Sequence, residues 1–219
     1  MLLGLAFVLG FALMGFEMLG SRYLYPYFGG GINTWAVLIA TVLLALIFGY
    51  FIGGYLVDRD PRPMICGWLL VGASLYLFSI PFWAAPAFAW ILENIGDGMF
   101  GIMLAANALL LVPLTLISVF SPFGVRLLLN SIEYGGRLVA AVYGISTFGN
   151  VLGVLVTTFT LMPVAGSRTL TMVFAGIIGV CGLVMATMDS IVGGHAVSPA
   201  AAARGGSARK RKTLRKTKR

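Results

Sequence analysis

Charged residues are scarce in this sequence. Only 10% of its 219 residues are Asp, Glu, Lys or Arg, and the chain has a single His and two Cys. Soluble domains carry about 25% charged residues. The shortage therefore excludes a water-soluble globular domain. The two cysteines, Cys66 and Cys181, lie apart in apolar stretches, so they indicate neither a disulfide framework nor a metal site, and we expect no cofactor.

Long apolar runs are what the chain has instead, since 59% of its residues are hydrophobic. A bilayer core about 30 Å thick needs roughly 20 apolar residues per helix. The runs do not alternate in polarity, which excludes a membrane β-barrel. The sequence thus predicts an all-α integral membrane protein with a domain over residues 1–192. Its six transmembrane helices should lie at about 2–20, 34–57, 64–83, 99–120, 138–162 and 169–189.

The last residues, 193–219, differ sharply from the rest. The stretch 204–219 holds nine Lys and Arg and no acidic residue. Without bulky apolar side chains it cannot form a core, so we predict a disordered basic tail. Such a tail next to a membrane binds anionic lipid or an acidic partner. Nucleic acid is the least favoured ligand, because the tail has no aromatic residue for base stacking.

The distribution of positive charge predicts the orientation in the membrane. With six spans, thirteen of the fifteen Lys and Arg fall on one side, and only Arg22 and Arg168 fall on the other. By the positive-inside rule, both termini face the cytoplasm. The sequence predicts two further short helices at the membrane surface. One covers "AAPAFAWILENIGDG" and ends at Gly98, and the other covers "SPFGVRLLLNSIEYGGR" and ends at Gly135-Gly136.

The middle helix of each predicted triplet of helices contains one glycine pair. Gly49 and Gly53 are four residues apart, as are Gly149 and Gly153. This spacing puts two glycines on one helix face, where backbones can approach closely. The pairs favour helix packing rather than binding. They are compatible with a 3+3 inverted repeat, and equally with a chance pairing in a chain of 29 glycines.

A family resemblance rests on two stretches of the chain. "GSRYLYPYFGGGINTW" follows an acidic residue in the first helix, and "GRLVAAVYGISTFGNVLGVLVTTFTLMPVAGSRTL" follows "SPFGVRL". Over about residues 10–175 the chain resembles the membrane portion of bacterial fused major-facilitator-like/spermidine-synthase proteins. The resemblance implies half a major facilitator carrier in the bacterial inner membrane. The chain lacks the synthase domain that follows in those proteins, so no catalytic residue carries over and we expect no enzyme activity.

The segment "GGYLVDRDPRP" resembles the major facilitator signature between the second and third helices. Gly54, Asp58, Arg59 and Arg62 match it, whereas prolines replace its last glycine and last arginine. In carriers this loop helps to close the inner gate. The alternative interpretation is a solvated turn whose arginines only orient the protein.

Glu17 is an acidic residue inside the apolar first helix. If that helix ends near Gly20, Glu17 lies roughly 5 Å below its exit. We expect it to be paired at the outer end of the bundle, with Arg22 or Arg168 as the cation. Together with Tyr25 and Asn107 these residues form a predicted outer polar cluster. The cluster could lock helices together, line a transport route, or recognise a partner's transmembrane helix.

Three functions remain open from the sequence. The leading one is a non-enzymatic membrane subunit or scaffold that assembles with its own copies or with other membrane proteins. The second is a small-solute carrier that works as a dimer, and the resemblance associates it with polyamines. The third is a membrane anchor for a separate aminopropyltransferase-like enzyme. Transport predicts an outward cavity lined by Glu17 and Asn107, and scaffolding predicts a filled core.

Overall fold

The fold was analysed in a computed structural model, which describes residues 1–128 and 135–192. Within these ranges the chain is helical, and no strand is present. Six helical segments are long and apolar enough to cross a membrane. The prediction of an all-α protein with six transmembrane helices is confirmed.

Within the described residues, eleven helical elements build the six segments, which we call the first to sixth spans. The first three spans are single helices: α1 (Leu2–Phe28), α2 (Ile32–Arg59) and α3 (Pro63–Asn94). The fourth is α4 (Met99–Ala106), a π-helical turn (Asn107–Leu111), α5 (Val112–Ser118) and α6 (Phe120–Leu128). The fifth is α7 (Gly135–Val156), a second π-helical turn (Thr157–Leu161) and α8 (Met162–Val164). The sixth is α9 (Ser167–Val192).

The connections at 29–31, 95–98 and 165–166 lie at one end of the bundle. We call this end the outer end, after the orientation that the charge pattern predicts, and the opposite end the inner end. The predicted tail, 193–219, lies outside the described residues. So do residues 129–134 of the second predicted surface helix, whose earlier part continues the fourth span as α6.

Two helices run further than the sequence predicts. The first was expected to end near Gly20 but continues to Phe28, and the third continues to Asn94. The separate surface helix predicted before Gly98 is therefore wrong, because its residues extend α3. Both helices stop next to a glycine in the left-handed region, Gly29 with φ 70° and Gly96 with φ 93°, where other residues are strained.

The spans pack in three main pairs. The third contacts the sixth, the first contacts the fifth, and the second contacts the fourth. Exchanging the first three spans with the last three leaves this set of pairs unchanged. The pairing of the spans therefore follows the pattern expected of a 3+3 repeat.

The glycine pairs lie where these spans cross most closely. A Cβ atom on Gly49 would lie 2.5 Å from the carbonyl oxygen of Thr115, and one on Gly53 would lie 2.9 Å from that of Val119. A Cβ on Gly149 or Gly153 would collide with the carbonyl oxygens of two residues of α1, Phe7 and Phe11. Each pair thus lets one backbone rest on its neighbour, the second span on the fourth and the fifth on the first.

Proline explains the two π-helical turns. Pro113 and Pro163 each follow a π-helical turn by two residues. Proline has no N–H and its ring crowds the preceding turn, so the helix widens there. At the first turn the hydroxyl of Tyr76, from α3, donates a hydrogen bond to the carbonyl oxygen of Ala108 at 2.6 Å. The distortion is thereby tied to a neighbouring span.

Candidate functional site

Glu17 lies in the most enclosed part of α1. Its neighbours Phe16 and Leu19 are fully buried, and Glu17 itself is 6% exposed. Because α1 continues to Phe28, Glu17 is about 16 Å from the end of the helix along its axis rather than 5 Å. Its carboxylate forms no hydrogen bond or ion pair with the described residues, 1–128 and 136–188.

Arg22 has other partners than the expected one. Its Nη1 atom donates hydrogen bonds to the carbonyl oxygens of Met162, at 2.6 Å, and Ala165, at 3.1 Å. These carbonyls lie at the end of the fifth span, where helical carbonyls have no partner within the helix. Neither predicted pairing of Glu17, with Arg22 or with Arg168, is therefore present among the described residues. Arg22 instead caps the end of the fifth span at Met162, which lies 140 residues later in the sequence.

Arg22 and Arg168 both line a cavity of about 330 Å³ at the outer end. We call this cavity the outer cleft. Its lining comes from α1, α3 and the start of α9, and the residues used below are Arg22, Tyr23, Tyr27, Phe88, Ser167 and Arg168. The Tyr23 hydroxyl shares a hydrogen bond with the hydroxyl of Thr171 at 3.1 Å. The ring of Tyr27 stands edge-on to Phe88, with centroids 5.6 Å apart.

Tyr25 lies on another side of α1. It is exposed, and with Arg22 and Trp35 it lines a wider hollow of about 640 Å³. This hollow also includes Gly29, Gly30 and Thr34, so it lies between the end of α1 and the start of α2. Arg22 borders both cavities, whereas Tyr25 borders only the wider one.

Asn107 is separate from the other members of the predicted cluster. Its amide donates a hydrogen bond to the carbonyl oxygen of Met103 at 2.7 Å, at the start of the first π-helical turn. It lines a lateral groove of about 330 Å³ between the second and fourth spans, with Asn33 and Thr41. The structure therefore brings Arg22 and Arg168 together, with Tyr25 nearby, and leaves Glu17 and Asn107 apart.

The proposed inner-gate residues surround the turn between α2 and α3. Arg62 forms an ion pair with Asp60, with its Nε 3.2 Å from Oδ1. Arg59 lies over the ring of Tyr55, 5.1 Å from the centroid. Asp58 is exposed and has no hydrogen bond or ion pair among the described residues, and no atom lies within 4 Å of a Cβ built on Gly54. The acidic partner in this turn is thus Asp60, which the signature does not include.

A small polar cavity lies inside the bundle, nearer the inner end. Its volume is about 20 Å³, and its polar lining consists of Tyr50, Ser118, Ser121, Ser146 and Asn150. That volume is enough for one water molecule. The Oδ1 atom of Asn150 is buried and has no hydrogen-bond partner among the described residues. Apolar residues of the first, second and fourth spans line the rest of the cavity, whose volume leaves no room for a larger solute.

Sequence reasoning missed several residues of these cavities. Tyr23 and Tyr27 were visible as an aromatic series at the end of α1, but an assumed helix end at Gly20 placed them in a loop. No sequence signal links Arg22 to the end of the fifth span. In the part of the chain that the structure describes, no three His, Cys, Asp or Glu side chains are grouped to hold a metal ion.

No family model, no curated protein and no solved structure matches the chain. The family resemblance therefore stays a prediction from the motifs.

Proposed function

We propose that this protein is a non-enzymatic, multi-pass membrane subunit or scaffold that assembles with other membrane-protein chains. The observation that carries the proposal is the poor cover of the fifth span. Of its most apolar stretch only 17% is buried within the chain, against 39–56% for the other five spans. It rests on α1 through its glycine pair and exposes large side chains elsewhere, such as Phe159, which is 74% exposed.

Unpartnered polar atoms concentrate in the same span. Among the described residues, three buried side-chain oxygens have no hydrogen-bond partner, and they belong to Asn150, Thr157 and Thr158. All three lie in the fifth span. A polar atom without a partner is unfavourable in an apolar medium. The Asn150 and Thr157 oxygens face α1 inside the chain, so it is the thin cover of the span that leaves a place for a neighbouring chain.

The closed interior supports a scaffold over transport through one chain. Glu17 is 6% exposed and lines none of the cavities described above, and the polar cavity between the spans holds about 20 Å³. A small-molecule site normally has about 300–1,000 Å³. The cavities of that size lie at the outer end and on the lateral surface.

A carrier that works as a dimer is the second candidate. The observation that favours it is the symmetric pairing of the first with the fifth span and the second with the fourth, since inverted repeats are common in secondary transporters. In that case the route for solute would run between two chains. Reconstituted protein would then catalyse solute uptake, which a scaffold would not.

The proposal includes a location in the bacterial inner membrane with both termini in the cytoplasm. It is supported by the thirteen-to-two division of positive charge. Single cysteines at Asn94 and Thr213 should react with an impermeant thiol reagent from opposite sides of intact cells. Reaction of both from one side would refute the orientation.

The assembly itself is tested by counting chains in native membranes. Photobleaching steps of a fluorescently tagged chain count the copies in each complex, and the mass of the gently solubilised protein gives the size of the complex. Both should indicate a complex larger than one chain. Replacing Leu155 and Phe159 by Ala should reduce that complex, because both side chains are exposed on the fifth span. The matched control replaces Leu75 and Phe82, a Leu and a Phe that are also exposed, on α3. A single chain in native membranes, or equal loss with both double variants, would overturn the proposal.

A further inference from the structure

The outer cleft combines two cations with an apolar wall. Arg22 and Arg168 line it, and so do the hydroxyl-bearing residues Tyr23, Tyr27 and Ser167. Phe88, which is fully buried, forms part of its wall. The volume of about 330 Å³ is within the range of small-ligand sites. The feature is therefore a lined cavity that three helices build, and not a pair of scattered surface charges.

Its positive charge is not neutralised by the protein. Arg22 uses Nη1 on two backbone carbonyls, which leaves its charge and its remaining N–H donors. Arg168 is close enough to the Tyr23 phenol to interact with it electrostatically, but it has no hydrogen bond or ion pair with the residues that the structure describes. No acidic residue is among the described residues that line the cleft. The cavity thus offers two cations and several donors without an anion.

The depth of the cleft matches the surface of a membrane. The 27 residues of α1 span about 40 Å, roughly 10 Å more than a hydrocarbon core. Arg22 is six residues, or about 9 Å, from the end of that helix. With the excess length at the outer end, Arg22 lies at about the level of the lipid headgroups, and Pro26, Ala85 and Phe88 give the cleft an apolar wall.

We propose that the outer cleft binds a phosphate group, held by Arg168 and Arg22 with help from the hydroxyl groups around them. Phosphate presents several acceptor oxygens, and guanidinium groups match it with pairs of parallel donors. Two sources have this chemistry: the headgroup of an anionic phospholipid in the outer leaflet, and a free phosphate in the external solution. The apolar wall favours the lipid, because acyl chains would continue along it. The inference is independent of the proposed scaffold role.

The site is tested with the full-length protein in an uncharged detergent. Phosphatidylglycerol or phosphatidylcholine is titrated in, and bound lipid is counted by native mass spectrometry. The titration is carried out at high salt, because salt weakens the binding of anionic lipid to the exposed basic tail. We expect wild type to retain phosphatidylglycerol and not phosphatidylcholine, and Arg168→Gln to weaken that binding at least tenfold. Arg168→Lys, which keeps the charge but loses the paired donors, should weaken it less than Arg168→Gln does.

Arg137→Gln is the matched control, because Arg137 is also exposed but lies at the inner end. It should bind phosphatidylglycerol as wild type does, and thermal unfolding should show all variants folded. In a second arm, inorganic phosphate replaces the lipid. Binding of phosphate alone that depends on Arg168 would identify the free ion as the source and support the site. Equal effects of the Arg168 and Arg137 changes, or no binding dependent on Arg168 in either arm, would overturn the proposal.

Discussion

The two glycine pairs occupy equivalent places in the bundle but have different surroundings. Gly49 and Gly53 bring the second span onto the fourth, and Gly149 and Gly153 bring the fifth onto the first. Of the most apolar stretch of each span, 39% is buried in the second span and only 17% in the fifth. The same backbone contact thus serves a better-covered helix in one half and a thinly covered one in the other. The glycine contacts of the backbone are equivalent in the two halves, whereas the cover of the two spans differs. The fifth span is therefore the place where a partner would add cover.

The largest expected effect comes from breaking a glycine contact. Gly149→Ala should lower the free energy of unfolding by about 1–3 kcal/mol, because its Cβ would collide with the carbonyl oxygen of Phe7 on a neighbouring helix. Circular dichroism during denaturation in mild detergent measures the change. Gly144→Ala is the control on the same helix, since its Cβ would meet no atom within 4 Å.

Gly144→Ala should leave stability unchanged or raise it by up to about 1 kcal/mol, since Ala favours helix more than Gly. Equal losses at positions 144 and 149 would contradict the packing of the fifth span. Gly49→Ala against Gly54→Ala repeats the comparison in the first half, where Gly54 also faces open space. A clear loss at Gly49 but none at Gly149 would show that only one repeat depends on its glycines.

A smaller effect is expected at the cap of the fifth span. Arg22→Gln removes the charged donor to the carbonyl oxygens of Met162 and Ala165, and should cost about 1 kcal/mol at this exposed site. The first half has no corresponding cap from a distant arginine among the described residues. If Glu17 were the partner of Arg22, adding Glu17→Gln would rescue the loss. We expect the two changes to add without rescue in a double-mutant cycle.

The smallest effect concerns the hydroxyl of Tyr76. Tyr76→Phe removes the hydrogen bond to Ala108 at the first π-helical turn but keeps the ring, and should cost about 0.6 kcal/mol. Tyr55→Phe is the control, because the Tyr55 side chain is exposed. The second π-helical turn has no such bond among the described residues. A cost of several kcal/mol would mean that the turn depends on Tyr76 far more than the structure indicates.

The sequence predicts the six spans and the glycine spacing because both follow from local patterns. Apolar runs match the thickness of a bilayer, and a spacing of four residues puts Gly149 and Gly153 on one face whatever they contact. The place of Glu17 does not follow from such a pattern. Its depth depends on where α1 ends, and that end is fixed by Gly29 in the left-handed region rather than by Gly20.

The hydrogen-bond partners of Arg22 also do not follow from a local sequence pattern. They are backbone carbonyls at the end of the fifth span, which become available only where the helix ends beyond Pro163. Nothing near residue 22 in the sequence indicates them. Likewise Arg22 and Arg168 share a cavity because α1 and α9 are adjacent at the outer end, which is a property of the packing.

The closed interior is tested most directly at Glu17. In a variant with Glu17→Cys, an impermeant thiol reagent is applied to intact cells and to inverted membrane vesicles. Cys66 and Cys181 are buried, so they should give little background, and Asn94→Cys serves as the reactive control. Our account predicts that position 17 stays unlabelled from both sides while position 94 reacts. Labelling at position 17 would show a water-filled route to the core and would contradict the scaffold in favour of a carrier.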